Sequence, residues 1–261
     1  MSATTLRIGT RGSALALAQA AIVARALEAH GIDREIVIVE TAGDRRAPDT
    51  AWGEGAFVTA IERALVEGRV DVAVHSAKDV PTDEDPRLTI AAYMARDDAR
   101  DALVLPAGQA GSLDTLPAGT IVGTDSPRRT GFVRAYRADL TVQPLHGNVD
   151  TRLRRLDEGA VDALVLAAAG LNRLGREDRI SQLLPVEVVP PAPGQGAICV
   201  QVRADDARAA TLAGRLDDAP TRIAVEAERA FLKATGGGCR APVGAHAVVE
   251  SDRVRLLGGF A

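Results

Sequence analysis

The stretch Val70-Asp71-Val72-Ala73-Val74-His75-Ser76-Ala77-Lys78-Asp79-Val80-Pro81 decides how this sequence folds. Its first six residues form a short apolar run, which is typical of a strand buried on both faces. The segment 67–74 resembles 158–165, and Ile8-Gly9-Thr10 resembles Val122-Gly123-Thr124. Two similar α/β lobes that face each other across a cleft would produce this internal repeat, and so would chance similarity between helix–strand units.

Apolar strands alternate with amphipathic helices on both sides of this stretch. The pattern predicts strands at 6–10, 35–40, 70–75, 89–94, 102–105, 120–123, 141–145, 163–167 and 197–203. It predicts helices at 13–30, 57–67, 127–136, 149–157 and 168–174. This alternation indicates an α/β fold with mixed, mostly parallel sheets that helices cover on both faces.

The length of 261 residues is too great for one comfortable core and predicts two or three domains. We expect lobe 1 to comprise 1–95 and 195–214 and lobe 2 to comprise 100–190, with the proline-rich segment 185–193 crossing between them. A helix at 222–234 and two strands at 245–249 and 253–257 predict a small α+β unit over 219–261. At about forty residues this unit is marginal for a core of its own.

Charge and composition exclude several classes of protein. A net charge of −4 and a pI of about 5.6 argue against a dedicated nucleic-acid binder. The apolar runs are too short to span a bilayer, and the N-terminus lacks the features of a secretory signal, so we expect no membrane partner and a cytoplasmic location. Two cysteines without a C-x-x-C motif predict neither a disulfide framework nor a metal site.

Arginines and small polar residues follow the predicted strands, where ligands bind in doubly wound folds. Ser126 and Pro127 are a good N-cap and first-turn pair, so Arg128 and Arg129 fall in the first turn of a helix. Two cations are unfavourable at a helix N-terminus unless an anion binds there. The alternative is that both arginines are solvated on the surface.

The same pattern recurs elsewhere, which favours a cleft over a chance surface cluster. Arg11 and Ser13 follow the first strand, His146 precedes the helix that carries Arg152, and Arg173 follows the last buried strand. The chain contains only two lysines against many arginines, a bias that genome composition could also produce. Guanidinium groups bind carboxylates through two parallel hydrogen bonds, so we predict an arginine-lined cleft for small carboxylate-bearing molecules.

Lys78 and Asp79 follow the buried strand 70–75. Because Pro81 holds Val80 extended, we expect Asp79 on an extended loop. A lone pair of this kind is usually a surface ion pair, but at a strand end that faces arginines Asp79 is a candidate general acid or cation stabiliser. Cys239 follows three glycines and is a candidate reactive thiol. Cys199 lies inside a predicted strand, where we expect it to be buried.

Taken together, these segments resemble the porphobilinogen deaminase (hydroxymethylbilane synthase) family. The matching segments are Leu6-Arg7-Ile8-Gly9-Thr10-Arg11-Gly12-Ser13, Val74-His75-Ser76-Ala77-Lys78-Asp79-Val80-Pro81, Val122-Gly123-Thr124-Asp125-Ser126-Pro127-Arg128-Arg129, Gly147-Asn148-Val149-Asp150-Thr151-Arg152-Leu153, Ala169-Gly170-Leu171-Asn172-Arg173-Leu174-Gly175, Pro193-Gly194-Gln195-Gly196-Ala197, and Ala227-Glu228-Arg229-Ala230 leading to Gly237-Gly238-Cys239. They run in order over nearly the whole chain, and their combination is highly specific.

The resemblance implies two lobes like those of periplasmic binding proteins, a small third domain, and a monomer. It implies a transferase that condenses four porphobilinogens head to tail onto a dipyrromethane cofactor, attached by a thioether to Cys239, and releases hydroxymethylbilane and ammonia. Asp79 would assist the loss of ammonia and stabilise the resulting cation. The residues implied to hold the cofactor are Lys78, Asp79, Thr124, Ser126, Arg128, Arg129 and Arg152. Those implied to hold porphobilinogen and the growing chain are Arg11, Ser13, Gln19, Ser76, His146, Arg152, Arg173 and Gln195.

The sequence departs from the family pattern at three places. His146 stands where the family usually has arginine, so a permanent cation becomes a pH-dependent one. Glu54 occupies a position that often holds lysine. The sequence ends at Ala261, so we expect the third domain to be incomplete, with an open sheet edge.

Two other functions would use a similar scaffold. A two-lobed binding protein for amino acids or small anions would need Arg11, Arg128 and Arg152, but it would have no use for Cys239 or the Lys78–Asp79 pair. The effector-binding half of a regulator would carry a helix-turn-helix segment, and the sequence shows none.

Overall fold

The computed structural model describes residues 5–40, 58–83, 85–238 and 241–261. In chain order its strands and helices are β1 (Leu6–Thr10), α1 (Ala14–Ala29), β2 (Arg34–Ile38), α2 (Thr59–Val66), β3 (Val72–Ser76), β4 (Leu88–Tyr93), β5 (Asp101–Val104), β6 (Ile121–Gly123), α3 (Pro127–Tyr136), β7 (Thr141–Gln143), α4 (Val149–Asp157), β8 (Ala163–Ala167), α5 (Ala168–Arg173), β9 (Gln182–Leu183), β10 (Ile198–Arg203), α6 (Ala207–Ala213), α7 (Ala219–Ala234), β11 (Val243–Glu250) and β12 (Arg253–Phe260).

Ten of the twelve described strands form two five-stranded sheets with the same topology, and β11 and β12 form a two-stranded sheet. Lobe 1 has the order β2-β1-β3-β10-β4, and lobe 2 has the order β7-β6-β8-β5-β9. In each sheet the first three strands pair in parallel, and the fourth runs antiparallel to both of its neighbours. That fourth strand adjoins a segment that crosses between the lobes. The α/β fold with mixed sheets is confirmed.

The internal repeat corresponds to the same structure in both lobes. Gly9 on β1 pairs with Ala73, and Gly123 on β6 pairs with Leu164, which are matching positions of the repeat. A Cβ atom on Gly9 would lie 2.9 Å from the side chain of Val70, and one on Gly123 would lie 3.1 Å from that of Val161. A side chain at either position would press against the valine that precedes β3 or β8, which favours glycine on both strands.

An aspartate makes the same hydrogen bond to the backbone in each lobe. The Asp71 carboxylate accepts a hydrogen bond from the backbone N–H of Arg7 at 2.9 Å, and the Asp162 carboxylate accepts one from that of Ile121 at 2.7 Å. Each carboxylate satisfies a backbone donor at the start of the central parallel strand. The sequence repeat thus reflects shared packing and hydrogen bonding.

Two chain segments, 94–100 and 190–197, cross between the lobes and are bonded to each other. The Asp97 N–H donates to the Gly196 carbonyl at 3.1 Å, and Arg96 Nε donates to the Gln195 carbonyl at 2.8 Å. Gly196 has φ of +89°, and a Cβ atom there would lie 2.5 Å from the carbonyl oxygen of Asp97. The close approach of the two crossings therefore requires glycine at 196.

The third unit, which consists of α7, β11 and β12, is fastened to these crossings by Glu228. Its side chain is fully buried and binds the guanidinium of Arg96 through two hydrogen bonds of 2.7 and 3.0 Å. It also accepts the backbone N–H groups of Gly194 and Ala247, each at 2.7 Å. One carboxylate therefore joins α7, β11 and both crossings.

Several elements differ from the sequence prediction. Helix α6 was missed, although Asp206 caps it by accepting the Ala209 N–H at 2.8 Å. The two-residue strand β9 was also missed. Among the described residues β12 pairs only with β11, and its Val254, Leu256 and Phe260 are exposed. Within the described ranges, no helix is long and apolar enough to cross a membrane.

Candidate active site

A cleft of about 330 Å³ lies between the lobes, at the low end of the range for small-molecule sites. It is bounded by the ends of strands and the starts of helices, as expected for this fold. Its polar lining from lobe 1 comprises Arg11, Ser13, Gln19, His75, Ser76, Lys78 and Asp79. Its polar lining from lobe 2 comprises Arg129, Asn148, Asp150, Thr151, Arg152 and Arg173.

Asp79 lies in a single 3₁₀ turn, Ala77–Asp79, rather than on the extended loop expected from the sequence. Proline constrains only the residue before it, so Val80 is extended while the turn closes just before it, with the Val80 N–H donating to Ala77. The Asp79 carboxylate opens onto the cleft, but the surrounding protein limits its hydration. This desolvation raises the pKa of Asp79, although the positive charges of Lys78 and Arg11 oppose the shift.

The turn is held from behind by the third unit. Arg229 on α7 donates hydrogen bonds to the carbonyls of Val80 and Pro81 at 2.8 and 2.7 Å. These bonds fix the backbone directly after Asp79. A residue of the third unit therefore positions the carboxylate of lobe 1.

Lys78 is on the same turn and points to a different partner. Its Nζ donates to Oε1 of Gln195 at 3.2 Å. Burial, together with the nearby positive charge of Arg129, lowers the pKa of Lys78 to about 8, while Asp79 and Asp101 oppose the shift. Near neutral pH this ammonium is charged, but it loses its proton far more readily than an exposed lysine.

Arg128 and Arg129 are both buried, and the anion between them is the side chain of Asp101. Oδ1 of Asp101 accepts from Arg129 at 2.8 Å, and its Oδ2 lies 2.8 Å from Nη1 of Arg128. Ser126 caps the helix as predicted by accepting the Arg129 N–H at 3.4 Å. The two cations in one helical turn are thus compensated from within the protein, and the alternative of solvated surface arginines is wrong.

The two arginines differ in what they can still bind. Arg129 donates to Asp101 through Nε and Nη2 and to the Val165 carbonyl through Nη1, so it adds mainly charge to the cleft. The contacts of Arg128 with Asp101 and with the Pro190 carbonyl both use Nη1. Its Nε and Nη2 groups have no hydrogen-bond partner among the described residues and can bind an anion.

Arg128 also lines a second, smaller gap, which lies between the third unit and Lys78. Its lining residues are Lys78, Ser126, Pro127, Arg128, Ala192, Pro193, Leu232, Gly238, Ala241 and Val243. Gly238 immediately precedes Cys239 in the sequence. An ammonium, a hydroxyl and a guanidinium therefore surround a gap next to the candidate thiol loop, and this donor set suits carboxylates.

Arg152 and Arg173 line the far wall of the cleft. Arg152 donates from Nε to the Gly147 carbonyl at 2.8 Å, which leaves its two terminal nitrogens without a partner among the described residues. Burial, reinforced by Arg129, lowers the pKa of Arg152 to about 10, so it stays charged at neutral pH. Arg173 donates to the Gly196 carbonyl, and burial lowers its pKa.

The near wall, which belongs to lobe 1, also carries neutral polar groups. Gln19 donates to the hydroxyl of Ser76 at 2.8 Å, and the Ser13 hydroxyl caps α1 by accepting the Ala16 N–H at 3.4 Å. His75 is buried and hydrogen-bonded to Gln201, and burial lowers its pKa to about 4, so it is neutral. The lobe 1 wall therefore adds hydroxyl and amide groups to the charged side chains of Arg11, Lys78 and Asp79.

Two family models cover most of the chain. Residues 6–211 match the dipyrromethane cofactor-binding domain of porphobilinogen deaminase, and residues 222–261 match its C-terminal domain. The chain belongs to the porphobilinogen deaminase family. Membership of this family makes it a transferase enzyme of porphyrin biosynthesis, with porphobilinogen as its substrate.

Curated porphobilinogen deaminases from mycobacteria support the assignment. The enzyme of Mycobacterium ulcerans is 54% identical over 249 residues, which are 94% of this chain and 78% of that protein. The enzyme of Mycobacterium leprae is 53% identical over the same shares. The match therefore extends over nearly all of this chain and about four fifths of each relative.

Two solved structures of small-molecule binding proteins share the fold. The methionine-binding protein MetQ has a TM-score of 0.52 at 14% identity and covers 94% of this chain and 99% of that one. A periplasmic substrate-binding protein from Coxiella burnetii has a TM-score of 0.50 at 15% identity and covers 89% of this chain and 98% of that one. At such low identity these similarities confirm the two-lobed architecture and nothing about ligands.

Some residues that the family resemblance implied lie away from the main cleft. Thr124 is buried, and its hydroxyl accepts the Ser126 N–H at 3.3 Å, so it shapes the turn before α3. Nδ1 of His146 lies 2.9 Å from Asp125, outside the cleft lining. Gln195 is buried behind the wall. Cys239 and Glu54 fall outside the described residues.

Sequence reasoning missed the carboxylates that organise the site, of which Asp101 and Glu228 are fully buried. Asp101, Asp97 and Glu228 each bind an arginine that lies distant in the sequence. The sequence did contain one signal, because two arginines in a helical first turn demand an anion. It could not show that this anion is a side chain of a strand 27 residues earlier rather than a ligand.

Proposed function

We propose that this cleft deaminates porphobilinogen and joins four of these units head to tail onto a dipyrromethane cofactor that is bound covalently to Cys239, with release of hydroxymethylbilane and ammonia. The observation that carries the proposal is the position of Asp79. Its carboxylate opens onto a cleft whose other wall carries three arginines, beside an ammonium of lowered pKa. A binding protein for small anions has no need of such a carboxylate.

Asp79 carries the chemical step in this proposal. Loss of ammonia from the aminomethyl group of porphobilinogen breaks a C–N bond and leaves a cation on the pyrrole. A carboxylate within the cleft stabilises that positive charge until the next pyrrole carbon attacks. Because the pKa of Asp79 is raised, it can also exchange a proton with the departing amine more readily than an ordinary carboxylate.

The cationic residues hold the acids. Each pyrrole carries two carboxylates, and guanidinium groups bind carboxylates in a defined orientation. We assign Arg152, Arg173, Arg11, Ser13, Gln19 and Ser76 to porphobilinogen and the growing chain. Arg129 lines the cleft, but its donors are bonded to Asp101 and the Val165 carbonyl, so it contributes mainly positive charge.

The smaller gap supports the cofactor assignment. Lys78, Ser126 and Arg128 line it together with Gly238, so cationic and hydroxyl donors surround the gap beside the loop that leads to Cys239. The bound dipyrromethane supplies the pyrrole carbon to which the first substrate joins. The monomer and the cytoplasmic location expected from the sequence belong to this proposal.

Replacement of Asp79 tests the catalytic assignment. Asp79→Asn should keep the cofactor mass on the protein but reduce ammonia release about 10²–10⁴-fold, the usual contribution of an acid–base group. Asp150→Asn is the matched control, since Asp150 is an exposed carboxylate on the same cleft, and it should keep most of the activity. Near-normal ammonia release by Asp79→Asn would remove Asp79 from this role.

A further inference from the structure

Gln195 lies in the crossing segment 190–197 and is only 1% exposed. Its Nε2 donates to the Ala99 carbonyl and to Oδ1 of Asp101, both at 2.8 Å. A side-chain amide has two N–H groups, so both of its donors are used. The amide oxygen must therefore point the opposite way.

That oxygen faces two cations of the site. Oε1 of Gln195 lies 3.2 Å from Nζ of Lys78 and 3.5 Å from Nη2 of Arg129. Turning the amide over would place its NH₂ group against both cations and its oxygen against a carboxylate and a carbonyl, which loses every one of these hydrogen bonds. The surroundings thus specify one orientation of the amide.

We propose that Gln195 is a positioning residue that holds the ammonium of Lys78 and the guanidinium of Arg129 in place, and that it does not bind substrate itself. Lys78 belongs to lobe 1 and Arg129 to lobe 2, so one amide on the crossing segment aligns cations from both lobes. This inference rests on the proposed function for what those cations bind, but the alignment itself does not depend on catalysis.

The alignment controls the charge on Lys78. Among the described residues, the hydrogen-bond acceptor of Lys78 is Gln195. The charged groups that face the ammonium are Arg129 and Arg128 from α3, Asp101 from β5 and its neighbour Asp79. Without the amide oxygen, burial and the two guanidiniums would act on the ammonium with less opposition, and its pKa would fall further.

The pKa of Lys78 can be measured directly, because the chain contains only two lysines, Lys78 and Lys233. Protein grown with lysine labelled with ¹³C at Cε gives two signals, and a pH titration by NMR follows each ammonium without any turnover. The test variant is Gln195→Met, which keeps the side-chain length and removes the amide. The matched control is Gln201→Met, since Gln201 is also fully buried but bonds to His75 and Glu62.

We expect the Lys78 midpoint near pH 8 in the parent and in Gln201→Met, and about one unit lower in Gln195→Met, a tenfold loss of proton affinity. The Lys233 midpoint should be the same in all three proteins. An unchanged Lys78 midpoint in Gln195→Met would overturn the proposal.

A second variant and a kinetic readout keep the test decisive. In Gln195→Glu, the introduced acid can bind a proton, donate it to Asp101 and still offer an oxygen to Lys78. The titration midpoint of Lys78 should therefore not fall. A fall would overturn the proposal even if Gln195→Met does not fold. In steady-state assays Gln195→Met should raise KM for porphobilinogen more than it lowers kcat, and the reverse split would count against positioning. If the parent itself shows no turnover while the titrations follow expectation, the proposed function fails and the positioning role stands.

Discussion

Asp101→Asn should destabilise the fold more than any other single charge removal near the cleft. The carboxylate is fully buried, contacts both Arg128 and Arg129, and accepts a hydrogen bond from Gln195. An asparagine of nearly the same shape would leave two buried guanidiniums facing one neutral amide. Removing one partner of a buried ion pair costs about 3–5 kcal/mol, which is a large part of a typical free energy of unfolding of about 5–15 kcal/mol.

Urea unfolding followed by circular dichroism measures this loss. With a slope of about 3 kcal/mol/M, a loss of about 3–5 kcal/mol lowers the urea midpoint by about 1–2 M. Asp157→Asn is the matched control, because Asp157 is 38% exposed and pairs with Arg179 at the surface. Exposed pairs contribute about 0–1 kcal/mol, so its midpoint should barely change.

The pH dependence gives a second check on the same reasoning. Burial alone would raise the pKa of Asp101, but Arg128 and Arg129 outweigh it and hold that pKa well below the ordinary value. A carboxyl group with a lowered folded-state pKa stabilises the fold above its unfolded pKa, and this contribution is lost as the pH falls toward the folded value. The gap between the parent and Asp101→Asn should therefore be full at pH 7 and shrink below about pH 4. Equal midpoints for Asp101→Asn and Asp157→Asn at pH 7 would refute the reasoning.

Three further predictions concern the frame of the site. Gly196→Ala should lower the melting temperature much more than Gly68→Ala. Both glycines have positive φ, but only at 196 would the new Cβ clash, because it would lie 2.5 Å from the Asp97 carbonyl oxygen. Similar losses of melting temperature in calorimetry would contradict this prediction. Arg229→Gln should lower kcat more than it raises KM, because it loosens the turn that carries Asp79; a change in thermal stability alone would show that Arg229 is only structural. KM for porphobilinogen should rise as the pH increases through about 8, where Lys78 loses its proton. Lys78→Arg should flatten this dependence of KM on pH. An identical dependence in the variant would assign the titration to another group.

The fold was largely predictable because local patterns determine it. Short apolar strands and capped helices are recognisable from neighbouring residues, as Ser126 before Pro127 illustrates. The glycines of the repeat were visible as a resemblance, although only the structure shows that Val70 and Val161 pack against them. Elements without an apolar pattern, such as the alanine-rich α6, were missed.

The site was predictable in its residue types but not in its connections. The arginines at the strand ends were identified, yet their division between structure and binding depends on contacts between residues far apart in sequence. Asp101 contacts Nη1 of Arg128 and Nη2 of Arg129. Gln195 is buried behind the wall and does not line the cleft. No single-sequence pattern encodes such pairings, because each partner alone resembles an ordinary surface residue.

The most direct test of the central claim is mass spectrometry of the purified protein, expressed in a host that supplies ample porphobilinogen. The parent and Cys199→Ser should carry an adduct equal to two condensed pyrroles, and peptide mapping should locate it on Cys239. Cys239→Ser should carry none, since Cys199 is buried in β10. An unmodified Cys239 thiol in protein made under these conditions, or the adduct on another residue, would contradict the account.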